Sequence, residues 1–238
     1  LYFFKILFTK NCIVHAQYGS FCAFFTVFLP SSKKIVSLRG SDFYRMNYKT
    51  KKENYKTKTA VFLTQVSLMF FKKIITISEK MKEDLEKNNG FKSIALTDAP
   101  DPNFIYKIDK NDARRKLALN DNDVYVLFSS IDLKNEIKRT NLALKSIEKA
   151  QLQNRNIKLL TLNNVDYEDV NLYINACDVI LITSVYEGWP NIVKEGLVCE
   201  KPFISTLISD LPKIAKKEND CYIVNANIDE ISIHLLKF

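Results

Sequence analysis

From residue 124 onward, short apolar runs alternate with stretches of helical character, and that rhythm constrains the fold more than any other feature of the sequence. The runs 124–129, 157–162, 178–183, 202–206 and 221–224 read as strands, and the stretches 141–149, 168–176, 191–200, 211–216 and 229–237 read as helices. Strands and helices joined in strict alternation by short connections imply a parallel sheet covered on both faces. Right-handed crossovers then make it a doubly wound domain. In such sheets ligands bind outside the carboxyl ends of the strands, where helix N-termini gather.

The stretch 178–195, DVILITSVYEGWPNIVKE, concentrates chemistry at such a strand end. Its apolar opening has the look of a strand buried on both faces. Pro190 is expected as the first helical residue, since its fixed φ suits that place and its missing N–H would find no partner there. Ile192, Val193, Leu197 and Val198 are expected to face inward. The free N–H groups and the helix dipole favour a phosphate near Gly188, Trp189, Pro190, Asn191 and Ile192. Glu195, beyond the first turn, is placed to accept two hydroxyls of a ribose. Glu187, on the loop, reaches a sugar on the other side of the phosphates. Against this stands the plainer reading of two solvated glutamates on a loop and a helix.

The segment SVYEGWPNIVKEGLVCEKPFIST resembles the signature of family 4 retaining glycosyltransferases of the GT-B fold: Ser, two residues, Glu-Gly-x-Pro, then a second Glu followed by a small residue. The resemblance runs from about Ile13 to Leu211 and implies an α/β chain of two Rossmann-like doubly wound domains facing a cleft, the first incomplete. The expected division is 1–98 for a partial acceptor-side domain, 99–123 for a linker and its helix, and 124–238 for the nucleotide-sugar domain. Asp98-Ala99-Pro100-Asp101-Pro102 supplies the boundary, and Arg114 and Arg115 are expected on the surface of the linker helix.

The resemblance also implies roles. Glu195 would hold the ribose hydroxyls and Glu187 the donor sugar, with the backbone of 188–192 meeting the phosphates. Lys138 matches the family's diphosphate-gripping lysine, and Arg139 stands in for an arginine usually found earlier in the loop; the plainer reading is a solvated helix start. Ser130 faces the same crevice, and Asn163 and Val165 lie where relatives contact the base. Trp189 replaces a small residue, either packing over the sugar or filling a gap, and Asn191 reaches a phosphate or caps the helix. On the acceptor side stand His15 and Gly19 of HAQYG and Asp42 of RGSD, with a partly buried strand histidine and a turn aspartate as the plainer readings. Arg39 occupies the place of a histidine in many relatives; a guanidinium is always charged and holds a phosphate or hydroxyl rather than acting as a base.

A net charge of +8 on 238 residues calls for an anionic partner, without choosing among nucleotide, lipid surface and nucleic acid. The window 45–58 is the most basic, with tyrosines interleaved, and is expected as a loop before a helix over 60–71. It suits a solvated loop first and an anionic bilayer second, with nucleic acid behind both. The odd cysteines, without C-x-x-C spacing, argue against a disulfide framework and fit a reducing cytoplasm. With 2 histidines in the chain and no Asp-x-Asp in a suitable place, no metal and no cofactor are expected. No convincing membrane span appears. Nothing before Cys12 resembles the glycine-rich βα unit that opens a GT-B chain, and 228–238 looks like a helix cut short, so an incomplete chain is expected.

The implied reaction moves a sugar from a nucleotide diphosphate sugar to a saccharide or lipid-linked acceptor in surface polysaccharide assembly, at the cytoplasmic face of a bacterial inner membrane. Two rivals remain: a GT-B epimerase or phosphorylase, and an inactive protein that binds anionic surfaces.

Overall fold

The computed structural model describes residues 12–31, 33–45, 51–130 and 136–238. The chain divides into two units, one of Leu1–Asp98 with Glu187–Trp189 and one of Ala99–Tyr186 with Pro190–Phe238.

In the first unit the elements run β1 (Ile13–Ala16), α1 (Ser20–Val27), β2 (Lys33–Leu38), α2 (Lys51–Leu68), β3 (Lys73–Thr76), α3 (Glu79–Asn89) and β4 (Ile94–Ala95). The strands form a parallel sheet in the order β1-β2-β3-β4. Val36, Leu38 and Ile74 pack there with Ala23 of α1, Leu68 of α2, and Met81 and Leu85 of α3. The ends of α3 are written in the sequence. The Ser78 hydroxyl accepts the Met81 N–H, and Gly90 closes the helix at φ 72°, a left-handed turn that glycine adopts without strain. The basic window differs from expectation. From Lys51 it is the first half of α2 rather than a loop, while residues 46–50 lie outside the described residues. Lysines have good helix propensity, and the apolar second half, packed on α1, carries the helix back through them.

The second unit begins with α4 (Lys110–Lys116) and continues β5 (Val124–Phe128), α5 (Thr140–Gln151), β6 (Ile157–Thr161), α6 (Tyr167–Ala176), β7 (Val179–Ile182), α7 (Asn191–Val198), β8 (Phe203–Thr206), α8 (Leu211–Ala215), β9 (Tyr222–Val224) and α9 (Ile228–Leu235). Its 5-stranded sheet is parallel throughout, in the order β6-β5-β7-β8-β9. Alternate strand residues feed opposite faces. Val126, Phe128, Val179, Leu181 and Ile204 pack with Ala143 and Ile147 of α5 and Ile231 and Leu235 of α9. Ile180 lies against Gly196 of α7, on the other face, where α6 and α7 pack side by side.

Arg114 corrects the sequence reading. Its side chain is only 1% exposed, and it donates to the Ala176 carbonyl at 3.0 Å, the Asp121 carbonyl at 2.8 Å and the Asp178 carboxylate at 2.6 Å. Asp178 also takes the Tyr125 N–H at 2.7 Å, so this ion pair joins α4 to the start of the central strands.

Candidate functional site

Strand order places the switch point of the second unit's sheet. The chain goes from β5 to β6 on one side and returns past β5 to β7 on the other, so the order reverses between β5 and β7. A doubly wound sheet opens its ligand crevice there, at the carboxyl ends. The connections leaving those two strands are bound together. The Val185 N–H donates to the Ile137 carbonyl at 2.7 Å, and the Thr183 hydroxyl donates to the Lys138 carbonyl at 2.6 Å. Thr206, ending β8, donates to the Ser184 carbonyl at 2.7 Å.

Arg139 is part of that binding. It precedes α5 at φ 48°, a left-handed conformation uncommon for a residue with a Cβ. Its Nε donates to the Thr183 carbonyl at 2.5 Å and a terminal nitrogen to the Ser184 carbonyl at 2.6 Å, contacts that offset the backbone strain. Burial pulls its pKa down from the ordinary value. Two of its donors thus serve the loop after β7, a structural task beside the grip on a diphosphate expected from the sequence. Lys138 beside it is half-buried and Ser130 is buried. Sequence reasoning passed over Thr140, the first residue of α5. It is 5% exposed, and among the described residues its hydroxyl has no hydrogen-bond partner. Such a group costs free energy unless something else satisfies it. The signal was a threonine opening a helix after Lys-Arg.

On the other side of the switch point, Pro190 is the residue before α7 rather than its first, with φ −65° but an extended ψ of 118°. Ile192 and Val193 face inward as expected, whereas Val198 is 45% exposed. A Cβ on Gly196 would come within 2.1 Å of Ile180 Cδ1, so α7 lies close on β7 immediately after Glu195. Glu195 is half-buried, and burial raises its carboxyl pKa, with Lys194 pulling the other way. Asn191 is exposed. Asn163 and Val165 are half-buried in the loop after β6, the edge strand.

In the first unit the carboxyl ends of β1 and β2 carry the remaining candidates. Asp42 has the surroundings of the plainer reading, a turn aspartate. Wholly buried, it accepts the Gly19 N–H at 2.7 Å, the Gly40 N–H at 2.8 Å and the Arg39 N–H at 2.9 Å, which leaves it bound to its own backbone rather than to an acceptor. Burial pushes its pKa up while those N–H donors pull it down, and burial prevails. Gly19 is there for close approach, because a Cβ would meet Thr64 Oγ1 at 2.5 Å. His15 is exposed, its Nε2 bonded to Ser37 Oγ at 2.8 Å and its Nδ1 to Gln17 Nε2 at 3.0 Å. The Arg39 guanidinium pairs with Asp98 and donates to Gln17 Oε1 at 3.1 Å. These side chains line a cleft of about 170 Å³.

The candidates thus fall into two groups. His15, Gly19, Arg39 and Asp42 belong to the first unit, with Glu187 (half-buried), Gly188 (buried) and Trp189 (half-buried). Ser130, Lys138, Arg139, Asn163, Val165, Pro190, Asn191, Ile192 and Glu195 belong to the second. Among the described residues no group of acidic, histidine and cysteine side chains is arranged to hold a metal ion, and no helix is long and apolar enough to cross a membrane.

Residues 124–238 match the family model described as glycosyl transferases group 1. No curated protein matches the chain. Solved structures match it at low identity. Sucrose-phosphate synthase from Thermosynechococcus elongatus is 13% identical, with a TM-score of 0.75 over 94% of this chain and 63% of that one. HepE of Anabaena, in complex with UDP and glucose, is 13% identical, with a TM-score of 0.58 over 85% of this chain and 67% of its own. WaaG, a glycosyltransferase involved in lipopolysaccharide biosynthesis, is 12% identical, with a TM-score of 0.60 over 87% and 69%. At such identities the likeness speaks to fold. The chain has the α/β fold with parallel sheets of GT-B glycosyltransferases, and it spans under two thirds of the length of the synthase.

Proposed function

We propose that the chain takes part in retaining glycosyl transfer, its second unit binding a nucleotide diphosphate sugar. The observation that carries this reading is Glu195, a half-buried carboxylate one turn inside the helix that follows the β5/β7 switch point, within the segment that matches the glycosyltransferase model. In this reading Glu195 accepts the ribose hydroxyls and Glu187 meets the donor sugar. Lys138, the Thr140 hydroxyl and the first N–H groups of α7 face the diphosphate. As the bond from the sugar to the diphosphate breaks, these groups meet the growing charge without having to reorganise, and the reading calls for no metal. Arg139 acts as a positioning residue. The acceptor hydroxyl is assigned to the cleft of His15 and Arg39, with a surface polysaccharide or its lipid-linked precursor as acceptor and the cytoplasm as the compartment.

Calorimetric titration with uridine and guanosine diphosphate tests this. Glu195→Ala is expected to weaken the tighter nucleotide by about ten- to a hundredfold, as loss of hydrogen bonds to a charged acceptor requires. A wild type that binds neither nucleotide, or a variant that binds as well as the wild type, ends the reading. Burial raises the Glu195 pKa, so the fold favours its neutral form. The stability Glu195 contributes is therefore fully present below the ordinary glutamate value and lost as pH rises through its raised one. Hence Glu195→Gln is expected to hold or raise the Tm at pH 7 while binding nucleotide less tightly. A lower Tm would show that the carboxylate serves the fold.

A second reading concerns α2, where Lys51, Lys52, Lys56 and Lys58 are exposed beside Tyr55, with Phe62 further along the helix. We place contact with an anionic bilayer there, each lysine adding about 1 kcal/mol. Vesicles containing phosphatidylglycerol should retain the protein at low salt and release it when these four lysines are replaced by alanine. Equal retention by the variant, or by neutral vesicles, removes the idea.

A further inference from the structure

An aromatic pair stands beside Glu195. In the second unit α6 and α7 both follow parallel strands on one face of the sheet, so they run side by side in the same direction. Their contact register is fixed at Cys199, whose Sγ lies 3.7 Å from Asn171 Oδ1 and accepts from Asn175 Nδ2 at 3.4 Å. Four residues toward the N-terminus of each helix keep the same faces together one turn higher. That step takes Asn171 to Tyr167 and Cys199 to Glu195. Tyr167 therefore opens α6 on the face turned to Glu195, and the Glu195 charge contributes to a raised phenol pKa, behind burial.

Phe104 is held against Tyr167 by the same asparagines. The Tyr106 N–H donates to Asn171 Oδ1 at 3.1 Å, its carbonyl accepts from Asn175 Nδ2 at 3.0 Å, and the Ile108 N–H donates to Asn175 Oδ1 at 3.0 Å. This pins the chain before α4 along α6. The rings of Phe104 and Tyr167 then meet with centroids 5.4 Å apart at 56°. Although paired, they stay open to solvent, 40% and 51% exposed. Tilted as they are, the rings do not share one plane, but the more exposed Tyr167, braced by Phe104, offers a flat apolar face, and a heteroaromatic base is a ligand such a face recognises.

We propose that Tyr167, braced by Phe104, is the stacking platform for the base of the nucleoside diphosphate whose ribose Glu195 holds. This rests on the donor reading above and extends it to the base. The geometry orders the site along one edge: phosphates toward the switch point, ribose at Glu195, base over Tyr167 next to the loop of Asn163 and Val165. Stacking tolerates any base, because each has a π face, so the platform supplies affinity for the nucleoside rather than a choice among bases.

The test compares uridine diphosphate with inorganic pyrophosphate by calorimetry on the full chain. Tyr167→Ala is expected to weaken uridine diphosphate about tenfold and leave pyrophosphate unchanged, while Tyr167→Phe, which keeps the ring, binds both as the wild type does. Phe104→Ala, one layer back, is expected to show a smaller loss of the same kind, with unchanged amide exchange in α6 showing that the helix stays folded. Unaltered affinity for uridine diphosphate in Tyr167→Ala, or an equal loss for both ligands, overturns the platform. If Glu195→Ala meanwhile loses the nucleotide, the donor site survives without it. A wild type that binds no nucleotide overturns both.

Discussion

Replacing Arg114 with alanine is expected to destabilise the second unit by about 3–5 kcal/mol, the range for removing one partner of a buried ion pair. The cause is what stays behind. Asp178 would lose the guanidinium that donates at 2.6 Å, and the carbonyls of Ala176 and Asp121 would each lose a donor. The cation also lies 5.0 Å from the centre of the Tyr125 ring, so its planar face packs as well as pairs. Lys110, 3.1 Å from the other Asp178 oxygen, and the Tyr125 N–H remain as partial compensation, which favours the lower end of the range. Arg114→Lys should recover little, since one ammonium does not reach three acceptors spread around a planar fork. Urea unfolding followed by far-ultraviolet dichroism measures the effect, and a loss below about 1 kcal/mol would mean that water replaces the pair at little cost.

Asp42→Ala is the counterpart in the first unit, with an expected cost of about 3 kcal/mol or more, because each buried donor left unsatisfied costs about 1–3 kcal/mol. The N–H groups of Gly19, Arg39 and Gly40 all converge on this one side chain. Their loss would untie the turn after β2 from the start of α1, and with it the setting of Arg39 and Gln17 around the first unit's cleft. Asp42→Asn should lie between, keeping one acceptor oxygen and turning an amide toward the remaining N–H groups. Amide exchange at Gly19, Arg39 and Gly40 reads the effect directly; exchange no faster than in wild type would show that the carboxylate is dispensable.

These residues mark where the sequence was legible and where it stopped. Strand and helix positions were readable because each strand of the second unit is an apolar run too short for a helix, followed by a stretch of helical period. The parallel character followed from alternation alone. Glu195 stood out because a local rule, strand then loop then proline then helix, ties it to a strand end. Arg114 was missed because its burial depends on Asp178, a partner distant in sequence, and a run such as KNDARRK has the look of a solvated helix. The backbone contacts of Asp42 and Arg139 were hidden for the same reason: a polar side chain at a strand end looks alike whether it faces a substrate or the backbone of the next loop. Tyr167 has no pattern of its own, and Thr140 only that of a threonine opening a helix. Their interest comes from an orphaned hydroxyl and a ring contact, which exist only once the helices are placed. The basic window misled through composition, since lysines mark a solvated helix as readily as a loop.

The tie between Arg139 and the carbonyls of Thr183 and Ser184 has a consequence for how any kinetic survey of this chain would be interpreted. Neutralising that arginine frees the strand-end connection leading to Gly188 and Pro190, so turnover would drop through lost registry of neighbouring groups even if no anion ever touched the guanidinium. An alanine scan would rank Lys138 and Arg139 as equals, although in the proposed reading one acts by its charge and the other as a rivet. Salt dependence separates them, because screening mutes the first kind of contribution and leaves the second intact.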